Sequence, residues 1–189
     1  MKILLASDIH GSATYCRELV LRINEEHPDH ILILGDILYH GPRNDLPQEY
    51  NPKEVISLLN PLARKIIAVR GNCEAEVDQM VLDFSCMGES TTLLLLDGRT
   101  LFATHGHIWN PDKLPPFFSQ SIFCYGHTHV KQLEQKEIAH DQKTVFVNPG
   151  SISIPKDGSH SYGVITEDSI VLKDLFTKAE INKLDLTHS

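Results

Sequence analysis

Short apolar runs alternate with helical-period segments through the first third of the chain. KILLA, residues 2–6, reads as a strand. Residues 12–27 follow, with Tyr15, Cys16, Leu19, Val20 and Ile23 at helical spacing and Ser12 as an N-cap candidate. HILIL, residues 30–34, is a second strand, and 36–52 is loop, rich in Gly, Pro and Asn. Val55, Ile56, Leu59 and Leu62 mark a second helix that Pro61 interrupts or ends; residues 66–69 form a third strand. Strand and helix in alternation imply parallel pairing with crossover helices.

The second half changes rhythm. TTLLLLDGRTLFATH holds two strands around Asp97-Gly98, a two-residue hairpin signal. SIFCYG, TVFVNPG, SYGVIT and SIVLKD are further short strands. A helix-rich half followed by a strand-rich half fits an α/β (α+β) protein with two sheets packed face to face and helices outside.

Composition narrows the class. The 189 residues, 41% hydrophobic and 22% charged, suit one domain spanning 1–189. Lys and Arg total 17 against 25 Asp and Glu, a net charge of -8, which argues against a general nucleic-acid binder. Lys2 is followed by only four apolar residues before Ser7 and Asp8, and no apolar run approaches a bilayer-spanning length. A cytoplasmic protein with no membrane partner is the expectation. Cys16, Cys73, Cys86 and Cys124 lack CxxC spacing and read as reduced thiols.

The chemistry lies where strands end. Asp8 and His10 follow the first strand, Asp36 the second and Asn72-Cys73 the third. His105 and His107 follow LFAT, His127 and His129 follow IFCY, and Asn148-Pro149-Gly150-Ser151 closes VFV. Each piece alone reads as a turn, and each carries a glycine that lets the chain bend sharply. Together, in register with strand carboxyl ends, they could aim Asp8, His10, Asp36, Asn72, His105, His127 and His129 at one point. Carboxylate, imidazole and amide donors without thiolate favour divalent Mn, Fe, Zn, Co or Ni. A pair of such ions, sharing Asp36, can hold a hydroxide and grip both sides of a phosphoryl displacement. His107 is left either behind the ligands or solvated. His27, His30, His40, His140, His160 and His188 are read as surface residues.

This set resembles the calcineurin-like metallophosphoesterases. Their pattern of Asp-x-His, Gly-Asp, Gly-Asn-His-Glu, His and Gly-His-x-His spreads here from Asp8 to His129. SDIHGS, LGDILYHGPRN, AVRGNCEAEVDQM, THGH, YGHTH and NPGSISIPK bring the chain closest to the small bacterial phosphodiesterases of the YfcE type. The resemblance implies a four-layer αββα sandwich of two mixed β-sheets flanked by helices. It implies one ion on Asp8, His10, Asp36 and His129, and a second on Asp36, Asn72, His105 and His127, with manganese first among the metals. It also implies hydrolysis of a small phosphodiester.

One position departs from the pattern. Cys73 stands where most of the superfamily has a histidine that protonates the leaving oxygen or steadies the phosphate. It reads as a weak donor or as a small space-filler beside the metals. Asp36, Asn72 and Cys73 are thus the catalytic candidates; Arg43, Asn72 and His107 are the candidate substrate contacts. Arg43 fits a phosphate fork or a surface or subunit-contact role equally well, and Arg70 could reach phosphate too. Phosphomonoesterase and a non-catalytic scaffold of the same fold are the alternatives. Tyr39, Pro42, Leu46, Pro47 and Tyr50 in the 39–50 loop suggest a homo-oligomer.

Overall fold

The structure, a computed structural model, describes residues 1–116, 118–138 and 143–186. In chain order its elements are β1 (Ile3–Ala6), α1 (Ala13–Glu26), β2 (His30–Ile33), α2 (Pro52–Leu59), a 3-10 segment (Asn60–Lys65), β3 (Ile66–Ala68), α3 (Glu76–Val81), β4 (Ser90–Leu94), β5 (Thr100–Thr104), β6 (Ile122–Cys124), β7 (Lys131–Glu137), β8 (Lys143–Pro149), β9 (Ser161–Ile165), β10 (Ser169–Asp174) and β11 (Glu180–Asp185). The strands form two mixed sheets, ordered β11-β10-β9-β1-β2-β3 and β4-β5-β6-β8-β7. Within them, β1, β2 and β3 are mutually parallel, and so are β5, β6 and β8. The alternation of strands and helices in the first half produces the first triplet.

The period-2 pattern of the strands divides the core. Leu4, Ala6, Ile31 and Ile33 face the helices, where they meet Cys16, Leu19 and Ile23 of α1 and Val55 and Leu59 of α2. Ile3, Leu5 and Leu32 face the other way, into the layer between the sheets. Leu101, Ala103, Ile122, Cys124, Val145 and Val147 meet them there from the second sheet. The residues between these positions, Phe102, Phe123 and Phe146, stand in cross-strand register on the outer face. They pack with Trp109, Leu114 and Phe118 from the 107–120 segment, which carries no helix among its described residues. Each fully buried side chain of this kind stabilises the fold by about 1.5–3 kcal/mol.

Several boundaries differ from the sequence reading. Ser12 precedes α1, but its hydroxyl donates to the Gln48 carbonyl at 2.6 Å instead of capping the helix. The Asp97-Gly98 turn is one residue longer than a two-residue hairpin, because Leu95 N–H still bonds Arg99 O at 2.8 Å. Gly98 takes the left-handed position such a loop needs, with φ +87°. The polar strands β7 and β11 were not anticipated. Both are sheet edges, whose charged side chains hide strand periodicity and discourage edge-to-edge association. Cys16, Cys86 and Cys124 are buried free thiols, and Cys73 is half-buried. No described helix is long and apolar enough to cross a membrane.

The phenylalanine layer gives a stability test. Phe123→Ala, at a fully buried position, should cost about 3–5 kcal/mol in urea denaturation. Leu96→Ala, at a position 76% exposed, should change stability by no more than about 0.5 kcal/mol. Equal midpoints for the two variants would contradict this layering.

Candidate metal centre

The carboxyl ends of the two parallel triplets converge on one edge of the sandwich. Asp8 and His10 leave β1, Asp36 leaves β2, Asn72 follows β3, His105 ends β5, and His127 and His129 leave β6. Five of these seven sit at positive φ: Asp8 (58°), His10 (51°), Asp36 (55°), His127 (67°) and His129 (59°). Asp and His tolerate this region better than most side chains, yet each such residue still costs about 1–3 kcal/mol. The left-handed residues bend the chain sharply at each strand exit, where these side chains gather.

The candidate ligand atoms form two groups. In the first, Nε2 of His129 lies 3.2 Å from Oδ1 of Asp8 and 3.3 Å from Nε2 of His10. His10 Nε2 lies 3.6 Å from both Asp8 Oδ1 and Asp36 Oδ2. In the second, His105 Nε2 lies 3.4 Å from Asp36 Oδ2, 3.1 Å from Asn72 Oδ1 and 3.2 Å from His127 Nδ1. Donors about 2.0–2.2 Å from one ion stand roughly 2.8–3.6 Å from each other, so these spacings fit metal coordination. Asp36 Oδ2 belongs to both groups.

Hydrogen-bond accounting points the same way. His10, His105 and His129 each direct Nδ1 at a backbone carbonyl: Tyr39 at 2.8 Å, Leu34 at 2.6 Å and Ile154 at 2.7 Å. A proton held there leaves Nε2 as a lone pair facing the cluster. Asp8 Oδ1 is buried and has no hydrogen-bond partner. Three imidazole nitrogens, two carboxylates and an amide oxygen therefore meet in one place, an arrangement that suits a metal ion once the His105 proton is displaced. The residues present fit divalent-metal binding.

A ring of supporting contacts holds these groups. Glu74, 4% exposed, accepts N–H bonds from Asp36 at 3.0 Å and Ile37 at 2.7 Å, and a third from Gly71. It fixes the backbone that carries the shared carboxylate. A Cβ on Gly71 would come within 2.2 Å of Asp36 Oδ1, so only glycine fits there. Ser151 and Ser153 donate their hydroxyls to the Asp8 carbonyl at 2.8 and 3.0 Å. Asn148 ties Gly126 O and Thr128 Oγ1 together, holding the turn that carries His127 and His129. The sequence reading did not name Glu74 as a functional residue. Its signal was an acid two residues beyond a candidate ligand.

Comparison with known proteins agrees with this geometry. The model of the calcineurin-like phosphoesterase superfamily domain matches residues 1–169. The chain belongs to the calcineurin-like phosphoesterase superfamily. It is 45% identical over 170 residues to the phosphodiesterase YfcE of Escherichia coli strain K12, covering 89% of each chain. The solved structure of the E. coli phosphoesterase YfcE superposes with a TM-score of 0.91 and 40% identity, covering 99% of this chain and 100% of that one. Vps29 of Entamoeba histolytica, solved in complex with Zn2+, shares the fold with a TM-score of 0.62 at 20% identity, covering 98% and 99%.

Around the candidate ligands of this phosphoesterase domain, the other candidate residues separate. A cleft of about 440 Å³ is lined by Arg43, Asn72, Cys73, His127, His129 and, unanticipated from sequence, Lys156. Arg43 and Lys156 are both exposed. His107 is exposed and lines a separate cleft with Arg70 and Asn72. Its ring stands 5.3 Å from that of His105. Cys73 N–H bonds Asp36 Oδ1 at 2.9 Å, and Cys73 Sγ accepts from Asn72 Nδ2 at 3.2 Å. Burial, with the Asp36 charge behind it, pushes the Cys73 thiol well above its ordinary pKa, so it stays protonated.

Two histidines read as surface residues are partly buried against aromatic rings. His160 stacks on Tyr15 at 4.0 Å and bonds Ile152 O, and His40 is wedged edge-on against Tyr39 and Tyr50. Both sit where apolar packing was available, which a lone histidine in sequence does not signal. His27 is exposed as expected, and His140 and His188 lie outside the described residues.

Electrostatics of the cluster set a pH dependence. Burial alone would lower the His105 pKa; the Asp36 and Asp8 carboxylates outweigh it and push it up to about 9. Burial also opposes ionisation of Asp8 and Asp36, but histidine contacts hold both below the usual carboxylate range. Without a cation the carboxylates therefore keep a proton on His105 at neutral pH, and metal binding must expel it. Apparent Mn2+ affinity should rise by about tenfold per pH unit between about pH 6 and 8 and level off above about 9. Competition against a chromophoric chelator measures this; a flat affinity profile would contradict it.

Proposed function

We propose that this protein is a divalent-metal-dependent hydrolase of a small phosphodiester, working with a pair of ions. The observation that carries the reading is the position of Asp36 Oδ2, 3.6 Å from His10 Nε2 in one group and 3.4 Å from His105 Nε2 in the other. Asp8, His10, Asp36 and His129 would hold one ion, and Asp36, Asn72, His105 and His127 the other. The nitrogen and oxygen donor set suits manganese, with Fe, Zn, Co and Ni as alternatives. Bound there, the ions supply Lewis acidity and a water acidified toward neutral pH.

The chain's own groups do the rest. Arg43 and Lys156 border the cleft on which the ligands open, and their cations meet phosphate oxygens. Asn72 divides its amide, with Oδ1 toward His105 and Nδ2 toward Cys73. His107 and Arg70, in the neighbouring cleft, reach only a part of the substrate that extends past Asn72. Cys73 shapes the site as a neutral thiol and is not the nucleophile. The E. coli relative's assignment as a phosphodiesterase supports diesters over monoesters.

Chelator-stripped protein should not hydrolyse bis(para-nitrophenyl) phosphate, and Mn2+ should restore turnover. Asp36→Asn should lose on the order of a hundredfold or more in kcat/KM, because both ion positions lean on that carboxylate. Undiminished turnover by verified metal-free protein would refute the proposal.

A further inference from the structure

A second concavity of about 350 Å³ opens beside the catalytic cleft. Its walls are mainly apolar: Leu38, Tyr39, Tyr50, Ile56, Val77 and Val81. Three of these are open to solvent, with Tyr39 at 41%, Val77 at 58% and Val81 at 39% exposure. Among the lining residues there is no Lys, Arg or His, and the one carboxylate, Asp78, already accepts the Ala75 N–H at 3.0 Å. The tyrosine rings are braced from behind by His40, whose ring centroid lies 4.8 Å from that of Tyr39 and 5.1 Å from that of Tyr50.

This groove joins the metal cleft at one residue, Cys73, which lines both. Cys73 Sγ lies within 4.8 Å of a ligand nitrogen of His10 and a carboxylate oxygen of Asp36. The partition between the two spaces is low. Cysteine extends one heavy atom beyond Cβ, where an imidazole would extend a whole ring. Gly41 faces the same thiol without a side chain, and a Cβ there would lie 3.2 Å from Sγ. A phosphate held at the ligand cluster is thus a few ångströms from the mouth of an apolar space of small-molecule size.

We infer that the groove binds one ester substituent of the substrate, and that this substituent is an uncharged apolar or aromatic group of at least phenyl size. The inference rests on the phosphodiesterase reading and extends it to the substrate class. The phosphate anion belongs to the ligand cluster, Arg43 and Lys156; the organic group crosses Cys73 and packs against Tyr39, Tyr50, Val77 and Val81.

The test uses Mn2+-loaded full-length protein hydrolysing bis(para-nitrophenyl) phosphate, with diphenyl phosphate and dimethyl phosphate as competitive inhibitors. The wild type should bind diphenyl phosphate at least about tenfold more tightly, as burial of one phenyl group requires. Val77→Ser/Val81→Ser should lose most of that margin and leave inhibition by dimethyl phosphate unchanged. Val77→Ser alone, at the more exposed position, should lose part of it should the double variant fail to fold. Equal inhibition by the two diesters in the wild type, or an unchanged ratio in the variants, overturns the groove assignment and leaves the phosphodiesterase reading standing. Light scattering that shows a dimer broken by the serine variants, with the inhibitor ratio unchanged, assigns the groove to a second copy of the chain and overturns it too. Absence of any diester hydrolysis by the metal-loaded wild type removes the underlying reading and the inference with it.

Discussion

The structure depends on the crowding of imidazole, carboxylate and amide-oxygen groups at one edge of the sandwich. Three imidazoles have their Nδ1 atoms committed to backbone carbonyls, which turns their Nε2 atoms onto two carboxylates and an amide oxygen. The buried Asp8 Oδ1 has no hydrogen-bond partner, and His10 and His129 stand 3.6 and 3.2 Å from it. Such an assembly is costly for a fold that gains nothing from it, since unpaired buried polar groups and left-handed backbone each destabilise by kilocalories. A cation resolves the conflict, and the surrounding structure is arranged to hold the conflict in place until one binds.

That support comes from packing as much as from polar contacts. The inner layer draws Leu5 and Leu32 from one sheet and Ala103 and Cys124 from the other, locking the two parallel triplets together. Their tips are then tied directly. His105 of the second sheet bonds Leu34 O of the first at 2.6 Å, and His127 N–H bonds Asp8 Oδ2 at 3.1 Å. Glu74 extends this logic, since a buried carboxylate that accepts backbone N–H groups positions another carboxylate without competing for its ligand face.

Much of this was legible in the sequence, because strand ends, glycines and ligand-type residues coincide. β1, β2, β5, β6 and β8 announce themselves by apolar runs, and each delivers its ligand or supporting residue immediately afterward. The edge strands β7 and β11 were not legible: KQLEQKE and EINKLD carry the charges of solvent-exposed edges, which mask alternation. Lys156 was missed for a different reason. It approaches the cleft because its backbone N–H bonds His129 O at 3.0 Å, a contact across the fold that linear spacing does not encode. The aromatic packing that partly buries His160 was hidden likewise, since Tyr15 and Phe176 come from distant segments.

Cys73 fits this picture as a residue defined by its size and neutrality. Its N–H holds the shared carboxylate, its thiol stays protonated, and its short side chain separates a polar cleft from an apolar one. The central claim is that Asp36 lies between two cation positions. Anomalous diffraction from crystals grown with Mn2+ tests it most directly. The account predicts two peaks per chain, one among Asp8, His10 and His129 and one among Asn72, His105 and His127, with Asp36 in contact with both. A single peak at saturating Mn2+, or two peaks of which only one touches Asp36, would contradict it.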